Sequence, residues 1–146
     1  MKLKSPFHFM IAVFCSLICF QCVSITTARQ TASETKVSHL RCESLENPLG
    51  IDEAKPILGW QLDSDKRGQK QTAYQIHAAE SLEKLLENQG ELWDSGRVPS
   101  QKNIGIPYDG SPLQSRQRCF WRVRVWDEKG AVSSWSEPAW WETALL

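Results

Sequence analysis

The histidine and cysteine side chains that could act as bases or nucleophiles are few in this sequence, and those beyond the N-terminal segment are widely separated. Among the three histidines, His8 lies in an apolar N-terminal segment, which leaves His39 and His77 as general-base candidates. Neither stands in a recognisable Ser-His-Asp or Cys-His motif, and each alternates with apolar neighbours as residues of a strand do. Both are therefore predicted to be surface or half-buried histidines without a catalytic role.

Carboxylates are plentiful, but they cluster in segments that read as turns and loops, such as Asp52/Glu53, Asp63/Asp65 and Glu128. Glycoside hydrolysis needs two carboxylates that face each other across a cleft, and a small domain offers no evident deep cleft. The sequence also lacks a P-loop and a Gly-x-Gly-x-x-Gly motif. It predicts no catalytic residue and no cofactor.

Of the five cysteines, only Cys42 and Cys119 lie outside the N-terminal segment, so they are the two whose chemistry must be considered. The pair is 77 residues apart and forms no Cys-x-x-Cys motif, which excludes a structural zinc site. An exported protein permits one disulfide, whereas the alternative is two buried free thiols. Both cysteines alternate with apolar neighbours and are predicted to point inward. If they lie on facing sheets, which are about 10 Å apart, a disulfide is disfavoured because it needs Cα atoms within about 7 Å. Free thiols are therefore favoured over a disulfide.

Seven tryptophans are far more than a chain of this size usually has, and they admit two interpretations. Flat aromatic rings can stack on sugars, or they can fill a core. Trp60 and Trp121 fall in inward registers and are predicted to fill the core. Trp126 and Trp135 are predicted to stack on two arginines of the same strand as Trp126, namely Arg122 and Arg124.

The remaining three tryptophans lie nearer the ends of predicted strands. Trp93 is predicted to pack at a strand end, with Asp94 bonding the backbone of the turn that follows. Trp140 and Trp141 occupy opposite faces of the last strand, so at least one of them points outward. An outward aromatic residue at a chain end is expected to contact a neighbouring domain or a sugar.

The elements that position these residues read as an all-β fold. Short runs of β-like residues alternate with turn signals, which predicts a seven-stranded β-sandwich. The seven runs are Val37–Glu43, Ile57–Leu62, Thr72–Ala79, Glu91–Val98, Asn103–Pro107, Cys119–Asp127 and Ala139–Leu145. One short helical crossover is predicted over Ser81–Glu87, with Ser81 as N-cap and three leucines on one face, Leu82, Leu85 and Leu86.

The N-terminal segment has the pattern of an export signal. Two lysines precede an apolar stretch, and small residues end at Ala28, which predicts a cleaved signal peptide over 1–28. A membrane anchor, which needs about 20 apolar residues, and a lipoprotein signal are the weaker alternatives. Residues 29–36 read as a polar tether and 37–146 as the domain. The mature chain is expected in the periplasm or outside the cell, without stable membrane insertion.

The balance of acidic and basic residues indicates which classes of binding partner are favoured. The chain has 17 basic and 17 acidic residues, a net charge of zero that does not favour nucleic acid as a partner.

Several motifs, in order, resemble the opening of bacterial α-L-rhamnosidases. They are Leu40–Glu43, Leu45–Asp52, Pro56 with Trp60, Gln71–Ile76, Leu92–Gly96, Phe120–Asp127, Trp135-Ser136 and Trp141-Glu142. The resemblance covers essentially all of 37–146. It departs from the family at Cys119, where a fibronectin type III domain tends to place a tyrosine whose hydroxyl pins the corner before the strand.

The resemblance implies an N-terminal module with an immunoglobulin/fibronectin type III-like β-sandwich fold. In that family it is followed by further β domains and by an (α/α)₆ barrel that carries the catalytic carboxylates. The sequence ends at Leu146, where the family continues, so a truncated or split reading frame is expected and the chain alone is expected to be inactive.

Two functions from different classes remain open at this point. One is a structural module whose partners are the following domains of a rhamnosidase-like protein. The other is a free-standing carbohydrate-binding module that uses Trp140 or Trp141 to bind rhamnose-containing glycans.

Overall fold

The computed structural model describes residues 33–65 and 67–146, so the predicted signal peptide lies outside the described residues. The elements in chain order are β1 (Lys36–Cys42), β2 (Ile57–Asp63), β3 (Gln71–Ala79), α1 (Leu82–Leu86), β4 (Trp93–Asp94), β5 (Val98–Pro99), β6 (Ile104–Pro107), β7 (Arg118–Asp127) and β8 (Ala139–Glu142).

The strands form two antiparallel sheets that face each other. The small sheet has the order β1-β2-β6, and the large sheet has the order β4-β3-β7-β8, with β5 also paired to β3. The predicted all-β sandwich is confirmed.

The strand count differs from the seven predicted, because the run Glu91–Val98 is divided into β4 and β5. Gly96 adopts a positive φ of 59° between them, and the Ile76 amide donates to the Ser95 hydroxyl at 2.8 Å in place of a continuous ladder.

Strand β7 is the central element of the large sheet, and its alternation agrees with the sequence. Its inward side chains are fully buried: Cys119, Trp121, Val123 and Val125. Its other face carries Phe120, Arg122, Arg124 and Trp126. A strand with one apolar face against the core has its register strongly fixed, because a slip of one residue would turn every apolar side chain outward.

Aromatic rings pack edge to face through the centre of the sandwich. Trp60, Trp121 and Trp141 are buried, which confirms the core role predicted for the first two. The centroid of the Tyr108 ring lies 5.3 Å from that of Trp141, and the centroids of Trp121 and Trp141 are 6.2 Å apart. T-shaped pairs at such separations add to the stabilisation that burial of the rings provides.

Tyr108 supplies the corner contact that the sequence lacks at position 119. It is buried, and its hydroxyl donates to the carbonyl oxygen of Ser111 at 2.9 Å. A Cβ atom on Gly110 would lie 2.5 Å from both the Leu92 carbonyl oxygen and the Tyr108 hydroxyl. Only glycine fits there, and this close approach fixes the turn beneath the Tyr108 ring.

Contacts with the sandwich also reach residues before position 37. The Ser33 hydroxyl donates to a carboxylate oxygen of Asp127 at 2.8 Å, and Thr35 is buried. Ser33, which the sequence assigns to a polar tether, therefore contacts the end of β7, and Lys36 already belongs to β1.

Helix α1 is shorter and less buried than the leucine pattern predicts. The Lys84 amide donates to the Ser81 hydroxyl, so Ser81 is the N-cap as predicted. Of the three leucines only Leu85 is buried, whereas Leu82 and Leu86 are exposed. A helix of five residues presents a single turn to the strands beneath it, β3 and β7, which leaves room for one inward leucine.

Candidate functional site

The last strand, β8, directs its two adjacent tryptophans to opposite sides. Trp141 is fully buried in the core, while Trp140 lies partly exposed on the outer face of the large sheet. Trp141 therefore has no surface to offer a sugar or a domain, because its ring packs against Tyr108 and Trp121. Of the two residues that the sequence indicates, only Trp140 can make an outside contact.

The Trp140 ring is held in place by its neighbours. The Arg118 guanidinium lies 4.3 Å from the ring centroid and makes an ion pair of 2.9 Å with Glu142. The Trp140 amide donates to the Asn47 side-chain oxygen at 2.9 Å. This partly exposed aromatic residue is thus ordered before any partner arrives, which lowers the entropic cost of binding.

A loop runs along the outer side of β8 and closes the edge of the sheet. The Glu142 amide donates to the Pro48 carbonyl at 3.0 Å, and the Ala144 amide donates to the Ile51 carbonyl at 2.7 Å. We call residues 45–51 and 140–146 together the β8 edge. Its exposed leucines, with exposed fractions of 58%, 65%, 72% and 53%, are Leu45, Leu49, Leu145 and Leu146.

The sequence analysis did not identify the partners that order Trp140. Arg118 and Glu142 form a directly opposed pair between β7 and β8, a relation that becomes visible only once the strand register is known. Asn47 has a positive φ of 48°, a conformation that asparagine adopts more readily than most residues. In the sequence, the Asn47-Pro48 pair was the one available signal of a turn at this position.

A second group of aromatic and basic residues lines the other part of the outer face of the large sheet. Guanidinium carbons of Arg122 and Arg124 each lie 4.6 Å from the Trp135 ring centroid, and that of Arg124 lies 5.4 Å from the Trp126 centroid. The predicted stacking is confirmed. Arg124 also donates twice to the Gln75 side-chain oxygen, at 2.9 and 2.7 Å. The rings, Arg124 and Gln75 hold one another in place, which indicates a structural role, although the buried Nε of Arg122 has no hydrogen-bond partner among the described residues.

His77 belongs to this outer group and is more buried than the sequence suggests. Its ring lies 4.4 Å from the Trp135 ring, and its Nε2 atom is 3.3 Å from a carboxylate oxygen of Asp94. Burial lowers the pKa of His77 and outweighs the Asp94 carboxylate, which raises it. Asp94 also accepts from the Gly96 amide at 2.9 Å, as predicted for the turn after Trp93.

His39 sits at an irregularity in β1 with a positive φ of 47°. Its Nδ1 atom lies 3.1 Å from a carboxylate oxygen of Glu46, and both side chains are more than half exposed. In this exposed ion pair with Glu46, His39 is not placed to act as a base toward a nucleophilic side chain.

Cys42 and Cys119 are both buried and are not bonded to each other in the structure. Burial, with a smaller contribution from Glu43, raises the pKa of Cys42 to about 12. Burial also raises the pKa of Cys119, and the neighbouring Cys42 adds to it. Both thiols therefore stay protonated at neutral pH and are poor nucleophiles.

Two further properties of residues 33–65 and 67–146 bear on the site. No group of three or more histidine, cysteine or acidic side chains is placed to hold a metal ion there. Within the same residues, no helix has the length and apolar character needed to cross a membrane.

Comparisons with known proteins agree with this architecture. A family model described as the Rha78A-like N-terminal immunoglobulin domain matches residues 37–146. An α-L-rhamnosidase of Streptomyces avermitilis is 44% identical over 114 residues, which cover 78% of this chain and 11% of that protein. An α-L-rhamnosidase of Formosa agariphila is 37% identical over 144 residues, which cover 98% of this chain and 15% of that protein.

A crystal structure of the Streptomyces avermitilis enzyme in complex with L-rhamnose superposes with a TM-score of 0.72. The superposition has 44% identity and covers 75% of this chain and 10% of that one. This chain thus spans only about a tenth to a seventh of the length of these relatives. It belongs to the Rha78A-like N-terminal immunoglobulin domain family and is homologous to the N-terminal region of α-L-rhamnosidases.

Proposed function

We propose that this chain is the non-catalytic structural module of an exported α-L-rhamnosidase-like protein and that it packs against the following domain through the β8 edge. The observation that carries the proposal is the ordered, partly exposed Trp140 beside four exposed leucines. The relatives are about seven times as long as this chain, and in them the residues that follow this domain would begin next to β8.

The chemistry of the β8 edge suits a domain contact. Exposed leucines and an aromatic ring supply apolar area whose burial stabilises an interface by about 25 cal/mol per Å². The charges at this edge are already paired, because Arg118 binds Glu142, so covering Trp140 would leave no unpaired charge. Contacts between domains of one chain typically bury about 600–1,500 Å².

Export is part of the proposal and is supported by the N-terminal pattern of lysines, apolar stretch and small residues ending at Ala28. Fractionation of the producing cells, followed by determination of the N-terminal residue of the recovered protein, tests export. A start near Arg29 is expected, and retention of Met1 on a cytoplasmic protein would contradict it. We likewise expect a rhamnosidase reading frame in the DNA that follows the codon for Leu146.

The Trp140→Ala substitution tests the interface when it is made in two contexts. One is this chain alone, and the other is a chimera in which 37–146 replace the matching segment of the Streptomyces avermitilis relative. In the isolated chain the loss should stay below about 1 kcal/mol, because it removes one exposed cation–π contact. In the chimera an additional loss of about 1–2 kcal/mol is expected, as for a tryptophan at the centre of an interface.

Ile104→Ala is the matched control. Ile104 is also an exposed apolar residue, but it lies on β6 at the opposite edge of the sandwich. It should have the same small effect in both contexts. Equal losses for Trp140→Ala in the isolated chain and in the chimera would contradict docking through the β8 edge.

A further inference from the structure

A groove of about 650 Å³ opens at the edge of the sandwich opposite to β8. The division of β4 from β5 leaves a recess in the large sheet, and β6 of the small sheet forms the facing wall. The volume lies within the range of about 300–1,000 Å³ that is usual for small-molecule sites. Because β1 and β8 meet at the other edge, packing through the β8 edge would leave this groove open.

The lining combines aromatic and polar groups. Trp93 is partly buried, and its ring packs edge to face on Tyr108 with centroids 5.4 Å apart, so its position is fixed. Tyr74 is held in the same way by Trp60, at 5.2 Å. Ser100 and Lys102 contribute a hydroxyl and an ammonium group to the same groove. The lining thus contains a fixed aromatic surface next to several groups that can donate hydrogen bonds.

Two charged side chains line the groove, those of Asp109 and Lys102. The carboxylate of Asp109 is occupied by an ion pair of 2.7 Å with Lys55. Burial raises the pKa of Tyr74, so its hydroxyl remains a protonated donor. Among the described residues, the Tyr74 hydroxyl and the Lys102 ammonium have no hydrogen-bond partner. These two donors are therefore available to oxygen atoms of a ligand.

We infer that this groove binds a pyranose ring of an oligosaccharide. The apolar C–H face of the sugar would lie on Trp93, and its hydroxyl oxygens would accept from Tyr74 and Lys102. This combination of an apolar face and many oxygen acceptors is the chemistry of a sugar. The site differs from the tryptophans that the sequence indicated, because Trp141 is buried and Trp140 lies at the other edge.

Nuclear magnetic resonance of the ¹⁵N-labelled chain, titrated with L-rhamnose and with a rhamnose-containing disaccharide, tests the inference. Only the choice of these sugars rests on the proposed function. We expect saturable shifts of the Trp93 indole and Ser100 amide signals with a millimolar Kd, and tighter binding of the disaccharide. Tyr74→Phe and Lys102→Ala should each weaken binding by about threefold to tenfold, the loss of one hydrogen bond.

Both variants are expected to fold, because Tyr74→Phe keeps the packed ring and Lys102 is exposed. Trp140→Ala is the control outside the groove and should leave the Kd unchanged. The absence of any saturable shift up to about 50 mM sugar would overturn the inference. So would binding that both groove variants leave intact, or that Trp140→Ala abolishes. None of these results depends on whether the β8 edge docks a domain.

Discussion

Trp121 is the single side chain whose removal should damage the core most. It is fully buried, and its ring packs against Trp141. We expect Trp121→Ala to lower the free energy of unfolding by about 3–5 kcal/mol, because a large cavity remains. Urea denaturation measures this loss, with Trp140→Ala as the matched control at the surface. An unchanged midpoint for Trp121→Ala would contradict the inward register of β7.

The two cysteines give a prediction about reactivity. Because burial raises the pKa of both thiols, the thiolate is scarce while the protein is folded. Alkylation with iodoacetamide at pH 8 should therefore be slow in the native chain and complete at Cys42 and Cys119 after unfolding without reductant. Mass spectrometry of the purified domain reads out both states. Failure to alkylate the unfolded chain, with a mass two units below that of the reduced form, would show a disulfide instead.

Single residues were predictable from the sequence where alternation along a strand decides their direction. The core positions of Trp60 and Trp121 and the stacking of Arg122 and Arg124 on tryptophan follow from such alternation. The corner role of Tyr108 could not be predicted in this way. It depends on the contact with the Ser111 carbonyl and on the close approach at Gly110, which arise from how the loop closes.

At the scale of elements, the segment between β7 and β8 stabilises the large sheet through two serines. The Val125 amide donates to the Ser133 hydroxyl and the Val123 amide to the Ser136 hydroxyl, each at 3.0 Å. Ser136→Ala should cost about 1–3 kcal/mol, because it leaves a buried amide of β7 without a partner. Thermal denaturation measures the loss, and the exposed Ser134→Ala is the control. Equal effects of the two substitutions would contradict this role.

The element boundaries show where sequence patterns stop being informative. Strand β7 and the N-cap of α1 were predicted closely because ten alternating residues and a capping serine are strong local signals. The split of β4 from β5 was not predicted. It follows from Ser95 replacing a ladder bond through its side chain, which no periodicity reveals. The position of Ser33 depends likewise on a distant contact with Asp127.

At the scale of the whole molecule, the fold and family were within reach of the sequence, whereas the candidate site was only partly so. Ordered motifs over 37–146 identified the domain, and the family model matches the same residues. The choice between Trp140 and Trp141 as the outward residue required the sheet register. Prediction of the groove beside Trp93 would have required the placement of β6 opposite β5. This is a tertiary relation between segments that share no sequence pattern.

Amide hydrogen exchange of the isolated chain and of the chimera tests the docking of the β8 edge most directly. The exchange of amides in 45–51 and 140–146 should slow when the following domain is present, because docking covers this edge. Amides of β2 and β6 should exchange at the same rate in both proteins. Unchanged exchange at the β8 edge in a folded, active chimera, or protection confined to β2 and β6, would contradict the proposed structural role.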